Sequence, residues 1–136
     1  MKEKKMILFV EDDLATIDVY RTALERAGFD VDPIMLGEEV IRRIGEIEKE
    51  EAKKPDLVLL DLILPDMNGI EILDKIRKGE KTRDIKVLIL TNYTDAELEQ
   101  RGMKLNAEKY LLKTDHTPSQ LVAIVKDTLK EQGIRN

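Results

Sequence analysis

The feature that most constrains this chain is a short apolar run, Leu57-Val-Leu-Leu60, set between Pro55 and Asp61 and followed by Leu-Ile-Leu-Pro-Asp-Met-Asn-Gly69. It is too short for a helix and lacks the alternation of a half-exposed strand. It therefore reads as a strand covered on both faces, the environment of a parallel sheet with helices above and below. Asp61 then falls at the strand's carboxyl end, the edge at which open α/β sheets place their ligands. Pro65 and Gly69 mark a loop, after which Ile70, Leu73, Ile76 and Arg77 continue at helical spacing.

The same pattern recurs along the chain. Met6–Val10 is a first buried strand that runs into Glu11-Asp12-Asp13, where Asp13 is placed to cap a helix. Leu14, Ile17, Tyr20, Leu24 and Ala27 give that helix an apolar face, and Gly28 ends it. Asp30–Met35 is a second strand whose Pro33 assigns it to a sheet edge. A helix from Gly37 turns Val40, Ile41, Ile44 and Ile47 inward, and its charged tail, 46–54, reads as a solvated helical face. Lys86–Leu90 is the fourth strand, ending at Thr91-Asn92. Thr94 and Glu97 have capping-box spacing for a short helix with Leu98, Met103 and Leu105 inward, closing near Asn106. Lys109–Leu112 is the fifth strand, ending at Lys113, and Thr117-Pro-Ser-Gln120 opens a last helix with Leu121, Ile124, Val125 and Leu129 on its apolar side. The alternation predicts one α/β domain over 1–136, with its core at 5–132. The expected fold is a doubly wound, five-stranded parallel sheet in the order 2-1-3-4-5 with helices on both faces.

Composition removes several function classes. The 136 residues suffice for one core. Lys and Arg total 23 against 28 Asp and Glu, a formal charge of −5, and no basic stripe is interleaved with aromatics. Direct nucleic-acid binding is therefore not expected. The absence of cysteine removes disulfides, thiolate catalysis and Cys-ligated metals. Lys2, Glu3, Lys4 and Lys5 precede only the short apolar stretch 6–10, too brief for a leader or a membrane span. The expectation is a soluble, cytoplasmic protein without membrane insertion.

In that strand order Glu11 and Asp12 flank Asp61 on one side, and Thr91 and Lys113 on the other. Two like charges roughly 5 Å apart repel by about 3 kcal/mol at an effective dielectric of about 20. Either one carboxyl is protonated, or a cation sits among them. Oxygen ligands without His or Cys suit Mg²⁺. A central carboxylate with a hydroxyl and an ammonium opposite describes a phosphoryl site whose nucleophile is Asp61. Singly, Thr91 reads as a turn residue, Lys113 as a surface cation and His116 as a solvated loop residue. Jointly, one geometry orders the acids, the hydroxyl and the ammonium.

The motifs Phe-Val-Glu-Asp-Asp at 9–13, Leu-Leu-Asp-Leu-Ile-Leu-Pro-Asp-Met-Asn-Gly at 59–69, Leu-Thr at 90–91 and Tyr-Leu-Leu-Lys at 110–113 resemble those of a known family. It is the receiver domain of two-component response regulators, the CheY-like superfamily, in its stand-alone form, and the match covers nearly the whole chain. The resemblance implies a phosphorylation-dependent switch that takes a phosphoryl group from a histidine kinase or a histidine phosphotransfer protein. Asp61 would be the phosphoacceptor. Glu11, Asp12, Asp61 and the backbone carbonyl of Ile63 would hold Mg²⁺, Asp12 more directly than Glu11. Thr91 and Lys113 would move onto the phosphoryl group, with Tyr110 as the aromatic partner of the Thr91 switch. A downstream protein would be met on the surface of the fourth helix, fifth strand and fifth helix. Such a protein is no enzyme toward separate substrates; it catalyses only its own phosphorylation and slow dephosphorylation.

Departures from the family pattern are Asn92 in place of Ala or Gly, Asn106 in place of Gly, and Thr114 in place of the proline after the lysine. Ile63 and Tyr93 occupy the positions that tune dephosphorylation, and their bulk implies a long-lived phosphorylated state. Two other classes stand beside this one. A haloacid-dehalogenase-type phosphohydrolase expects a second acid two residues after its nucleophile, where this chain has Ile63. A phosphorylation-independent interaction module is normally marked by a missing acid, Asp or Lys, and none is missing here.

Overall fold

The computed structural model describes residues 4–134; Lys2 and Glu3, and the outermost limits of the expected domain, lie outside the described residues. Five strands, β1 (Met6–Val10), β2 (Asp30–Ile34), β3 (Leu57–Leu60), β4 (Lys86–Thr91) and β5 (Lys109–Leu112), alternate with five helices. The helices are α1 (Leu14–Arg26), α2 (Gly37–Glu48), α3 (Gly69–Lys78), α4 (Ala96–Lys104) and α5 (Pro118–Ile134). All strand pairs are parallel, and the order is β2-β1-β3-β4-β5, as the sequence predicts.

Side-chain alternation along the strands divides the core in two. Leu8, Val10, Val58, Leu60, Val87 and Ile89 pack under α2, α3 and α4. Ile7, Phe9, Leu57, Leu59, Leu88 and Leu90 pack under α1 and α5. The central strand β3 is buried throughout, which explains its uninterrupted apolar run. β2 lies at the sheet edge, where Pro33 leaves no interior ladder short of a donor.

Local signals are mostly realised. Asp13 caps α1, its Oδ2 accepting from the Thr16 amide at 2.9 Å. Gly28 and Asn106 adopt positive φ of 99° and 60° at the ends of α1 and α4. Thr117 and Gln120 form a reciprocal capping box at α5, with bonds of 2.9 and 3.2 Å. The Lys113–Thr114 peptide is trans.

Four expectations are corrected. The cap of α4 is Asp95, not Thr94: its Oδ1 accepts from the amides of both Glu97 and Leu98, and a carboxylate also complements the helix dipole. The charged tail is not a helical face, because α2 stops at Glu48 and Glu50 turns left-handed at φ 61°. Leu14 is 69 % exposed, since the first turn of α1 lies beyond the end of the sheet. Met103 is exposed because Gly102, one position earlier, takes the inward place on α4.

Arg77 holds the opposite, amino-terminal edge of the sheet. Its guanidinium donates to the carbonyls of Leu105, Ile85, Asn106 and Arg83 at 2.7, 2.7, 2.9 and 3.0 Å, and lies 3.6 Å from Glu108 Oε1. α3 is thereby tied to the turn before β4 and to the α4–β5 loop. Arg77→Ala is expected to cost about 2–4 kcal/mol in urea unfolding, and Arg77→Lys to recover less than half, because an ammonium cannot present the same planar fork.

Candidate functional site

The sheet register sets the site. Val10 pairs with Leu60, so Glu11 and Asp61 emerge side by side as β1 and β3 end; the Asp61 amide bonds the Val10 carbonyl at 3.0 Å. Glu11 continues the alternation of Ile7 and Phe9, and Asp61 that of Leu57 and Leu59, so both belong to the α1/α5 side of the sheet. Lys113, two beyond Leu111, shares that side, whereas Thr91 and Tyr110 have the parity of the other. Glu11, Asp61 and Thr91 are buried, at 1 %, 6 % and 0 % exposure.

The predicted residues converge. Glu11, Asp12, Asp61, Ile63, Thr91, Tyr93 and Lys113 line one open cleft of about 440 Å³. Carboxylate oxygens of Glu11, Asp12 and Asp61 lie within 4.8 Å of one another. Lys113 Nζ is 2.5 Å from Glu11 Oε1 and 3.1 Å from Asp61 Oδ2. The first contact is the shorter of the two, so Lys113 is the close partner of Glu11 Oε1. The other oxygens are tied locally: Glu11 Oε2 accepts from the Asp13 amide at 3.0 Å, and Asp61 Oδ1 from the Ile63 amide at 3.2 Å.

Both alternatives posed by the sequence leave a mark. Burial raises the pKa of Glu11, only partly opposed by Lys113 and the Asp13 amide. Burial alone would lower the pKa of Lys113, but its bond to Glu11 and the charges of Asp61 and Glu11 carry it upward. The two directions are compatible: the ammonium faces two carboxylates, whereas Glu11 faces one ammonium, another carboxylate and almost no water.

Tyr93 links the remaining pair. Its amide donates to Thr91 Oγ1 at a long 3.4 Å, and its carbonyl accepts from the Tyr110 hydroxyl at 2.7 Å. His116 lies beyond the cleft as a loop residue, half-buried rather than solvated.

The donor set fits a hard divalent cation. It contains only oxygen, with partly exposed Asp12 facing the buried acids, and the Ile63 carbonyl accepts no hydrogen bond among the described residues. Gly69 is a positional requirement that reads in the sequence only as loop punctuation. Its amide bonds the Leu62 carbonyl at 2.7 Å, and a Cβ there would run into the Asp61 carbonyl, so α3 can start this close to the site only on a glycine.

An open α/β sheet thus carries clustered acids, a buried hydroxyl and a bridging lysine together at its carboxyl edge. The family model for the response regulator receiver domain matches residues 7–126, and the chain belongs to that family. It is 35 % identical over 124 residues to the phosphate regulon transcriptional regulatory protein PhoB of Rhizobium meliloti (strain 1021), covering 91 % of this chain and 52 % of that protein. It is 32 % identical to the alkaline phosphatase synthesis transcriptional regulatory protein PhoP of Bacillus subtilis (strain 168), covering 96 % and 50 %. The chain thus spans about half the length of these curated relatives. Among solved structures, the CheY-like receiver domain protein of Methanospirillum hungatei JF-1 superposes with a TM-score of 0.85 at 30 % identity, covering 98 % of this chain and 100 % of that one. The phosphorylated cyanobacterial phytochrome response regulator RcpA gives 0.79 at 30 % identity, covering 92 % and 91 %. The chain is a receiver domain of two-component signalling.

The raised pKa of Glu11 gives a signed pH dependence. A group whose pKa is higher folded than unfolded favours folding below its ordinary value of 4.5, and that contribution is lost as pH rises through the raised value. Lys113 limits this loss by meeting the charge. Lys113→Met is therefore expected to be least destabilising near pH 4 and increasingly so toward pH 7, as urea unfolding across that range measures. A deficit constant with pH would mean that the lysine contributes packing alone.

Proposed function

We propose that this domain is a phosphorylation-controlled switch whose phosphoacceptor is Asp61. The observation that carries the reading is the Lys113 ammonium shared between Glu11 and Asp61 at the bottom of an open acidic cleft. A carboxylate held this way is oriented from both oxygens, Oδ1 by the Ile63 amide and Oδ2 by Lys113, yet remains reachable from solvent. Orientation of a nucleophile is the larger part of what a protein contributes to phosphoryl transfer.

The donor is a phosphohistidine on a histidine kinase or a histidine phosphotransfer protein. An Asp61 oxygen attacks phosphorus, the bond to the imidazole nitrogen breaks, and that nitrogen keeps the electron pair. Mg²⁺, held by Glu11, Asp12, Asp61 and the Ile63 carbonyl, would supply positive charge to the non-bridging oxygens. Lys113 follows the charge from the carboxylate to the new phosphoryl group, and the Thr91 hydroxyl turns to donate to it. The Tyr93 amide then loses its acceptor while Tyr110 still holds the Tyr93 carbonyl, so the β4–α4 loop is displaced. The population shifts toward the packing that best satisfies the added charge. A protein target reads the change on the face of α4, β5 and α5.

The domain acts neither as an enzyme on separate substrates nor as a nucleic-acid binder. Its relatives are named as transcriptional regulators, but a formal charge of −5 does not favour contact with a phosphate backbone. No helix among the described residues is long and apolar enough to cross a membrane, which is in keeping with a cytoplasmic partner for a sensor kinase.

Incubation with Mg²⁺ and acetyl phosphate is expected to add one phosphoryl group by intact mass, lost in Asp61→Asn. Unmodified protein would favour the phosphorylation-independent module, and turnover without adduct a hydrolase. Ile63 and Tyr93, 42 % and 52 % exposed, both line the cleft, and on this reading their bulk would hinder an attacking water. The adduct should accordingly persist for minutes or longer once donor is removed, and shorten when both are replaced by Ala. Decay within seconds in the native chain refutes the shielding role.

A further inference from the structure

Helix α2 begins without a cap of its own: Leu36 occupies the N-cap and its side chain offers no acceptor. The first amides are taken from a distance by Asp66, whose Oδ1 and Oδ2 accept from Gly37 and Glu38 at 2.9 Å each. The neighbouring Met67 closes over the same turn, so that a Cβ on Gly37 would collide with its side chain. The β3–α3 loop is thus clipped to α2 five residues beyond Asp61.

Other contacts hold this loop in a different way. Leu62 and Leu64 are buried in the core, with Ile63 exposed between them. The loop is also closed on itself by the Gly69 amide bonding the Leu62 carbonyl at 2.7 Å and the Leu64 amide bonding the Met67 carbonyl at 3.3 Å, while non-directional apolar burial sets its depth; neither ties the tip of this turn to α2. The paired bonds of Asp66 are directional and charge-assisted. Burial slightly opposes the charged form, but the Glu38 and Gly37 amides dominate and hold the Asp66 pKa below the ordinary carboxylate value. Pro65, with its φ locked by the ring, makes the link from Asp66 back to Leu64 stiff.

We propose that Asp66 is a positioning residue for phosphoryl transfer: by locking its loop to the first turn of α2, it aims the Ile63 peptide at Asp61. The proposal rests on the reading of Asp61 as phosphoacceptor. Asp66 touches neither donor nor phosphoryl group and acts through Ile63, whose amide reaches Asp61 Oδ1 at 3.2 Å.

The other end of α2 provides the control. Glu48 Oε2 accepts from the amides of Lys81 and Thr82 at 2.9 and 3.0 Å, the same chemistry at the opposite edge of the sheet. The test compares the native chain with Asp66→Ala, Asp66→Asn and Glu48→Ala, using acetyl phosphate with Mg²⁺ and measuring adduct formation against donor concentration, alongside urea unfolding. Asp66→Ala is expected to lower the saturating rate about tenfold with KM little changed, as for a reacting group displaced by a fraction of an ångström. Asp66→Asn, keeping one acceptor oxygen, should fall between. Glu48→Ala should lose stability at the native rate. Native rates in both Asp66 variants, or equal slowing in Glu48→Ala, overturn the proposal. Should Asp66→Ala not fold, Asp66→Asn decides by the same criterion. A native chain that takes no phosphoryl group, or an Asp61→Asn variant that takes as much, defeats the site reading and this proposal together, whereas normal labelling with unslowed Asp66 variants defeats this proposal alone.

Discussion

Two carboxylates buried side by side at the end of a parallel sheet set the terms for the rest of this structure. Glu11 and Asp61 are neighbours because β1 and β3 pair in register, and adjacent strands stand only about 4.8 Å apart. Ionised and unpaired, such groups would be driven to protonate or to unfold their surroundings. The answer reaches in from β5, two strands away from β3, where Lys113 extends its side chain across the carboxyl edge of β4. The sheet order is therefore part of the site's chemistry. With β5 elsewhere in the sheet the ammonium could not reach both acids.

Strand parity divides the work between the two faces. The charged members, Glu11, Asp61 and Lys113, continue the rows that pack on α1 and α5, while Thr91 and Tyr110 continue those beneath α2, α3 and α4. A charge change on one side is felt on the other only through groups at the rim. The Tyr93 backbone is such a group, bonded to Thr91 through its amide and to Tyr110 through its carbonyl.

The fold and the convergence of the site residues were legible in the sequence because both are written in local patterns. Buried parallel strands are short continuous apolar runs, and the residue ending each run is placed by topology at one edge, so Glu11, Asp61, Thr91 and Lys113 could be brought together before any coordinates. Interactions that couple distant segments through backbone groups were not legible. Asp66 reads as a loop acid until one asks what satisfies the first amides of α2, where Met35-Leu36-Gly37 offers no capping side chain; that missing cap was the available signal. Arg77 looks like the solvated end of an amphipathic helix, and nothing near it in sequence marks the carbonyls it gathers. At α4, Thr94 and Asp95 are both competent caps, and spacing alone favoured the wrong one.

The same long-range contacts decide where the domain can move. α2 is fastened at its start by Asp66 and at its end by Glu48, each taking two backbone amides from or for the segment beside it. α4 has no such symmetry. Its carboxyl end is pinned where Arg77 binds the Leu105 and Asn106 carbonyls, its only fully buried residue is Gly102 near that end, and its amino end is reached through the Tyr93–Tyr110 bond. A rod pinned at one end and more lightly held at the other, by the partly buried Leu98 and the Tyr93–Tyr110 bond, tilts when that lighter end is displaced. On the proposed mechanism, a shift at Thr91 that moves the Tyr93 backbone acts at the lighter end of the lever, where the least packing must be broken. On the same mechanism the α2–α3 side, clipped at both ends of α2, would keep the Asp61 loop still while α4 moves.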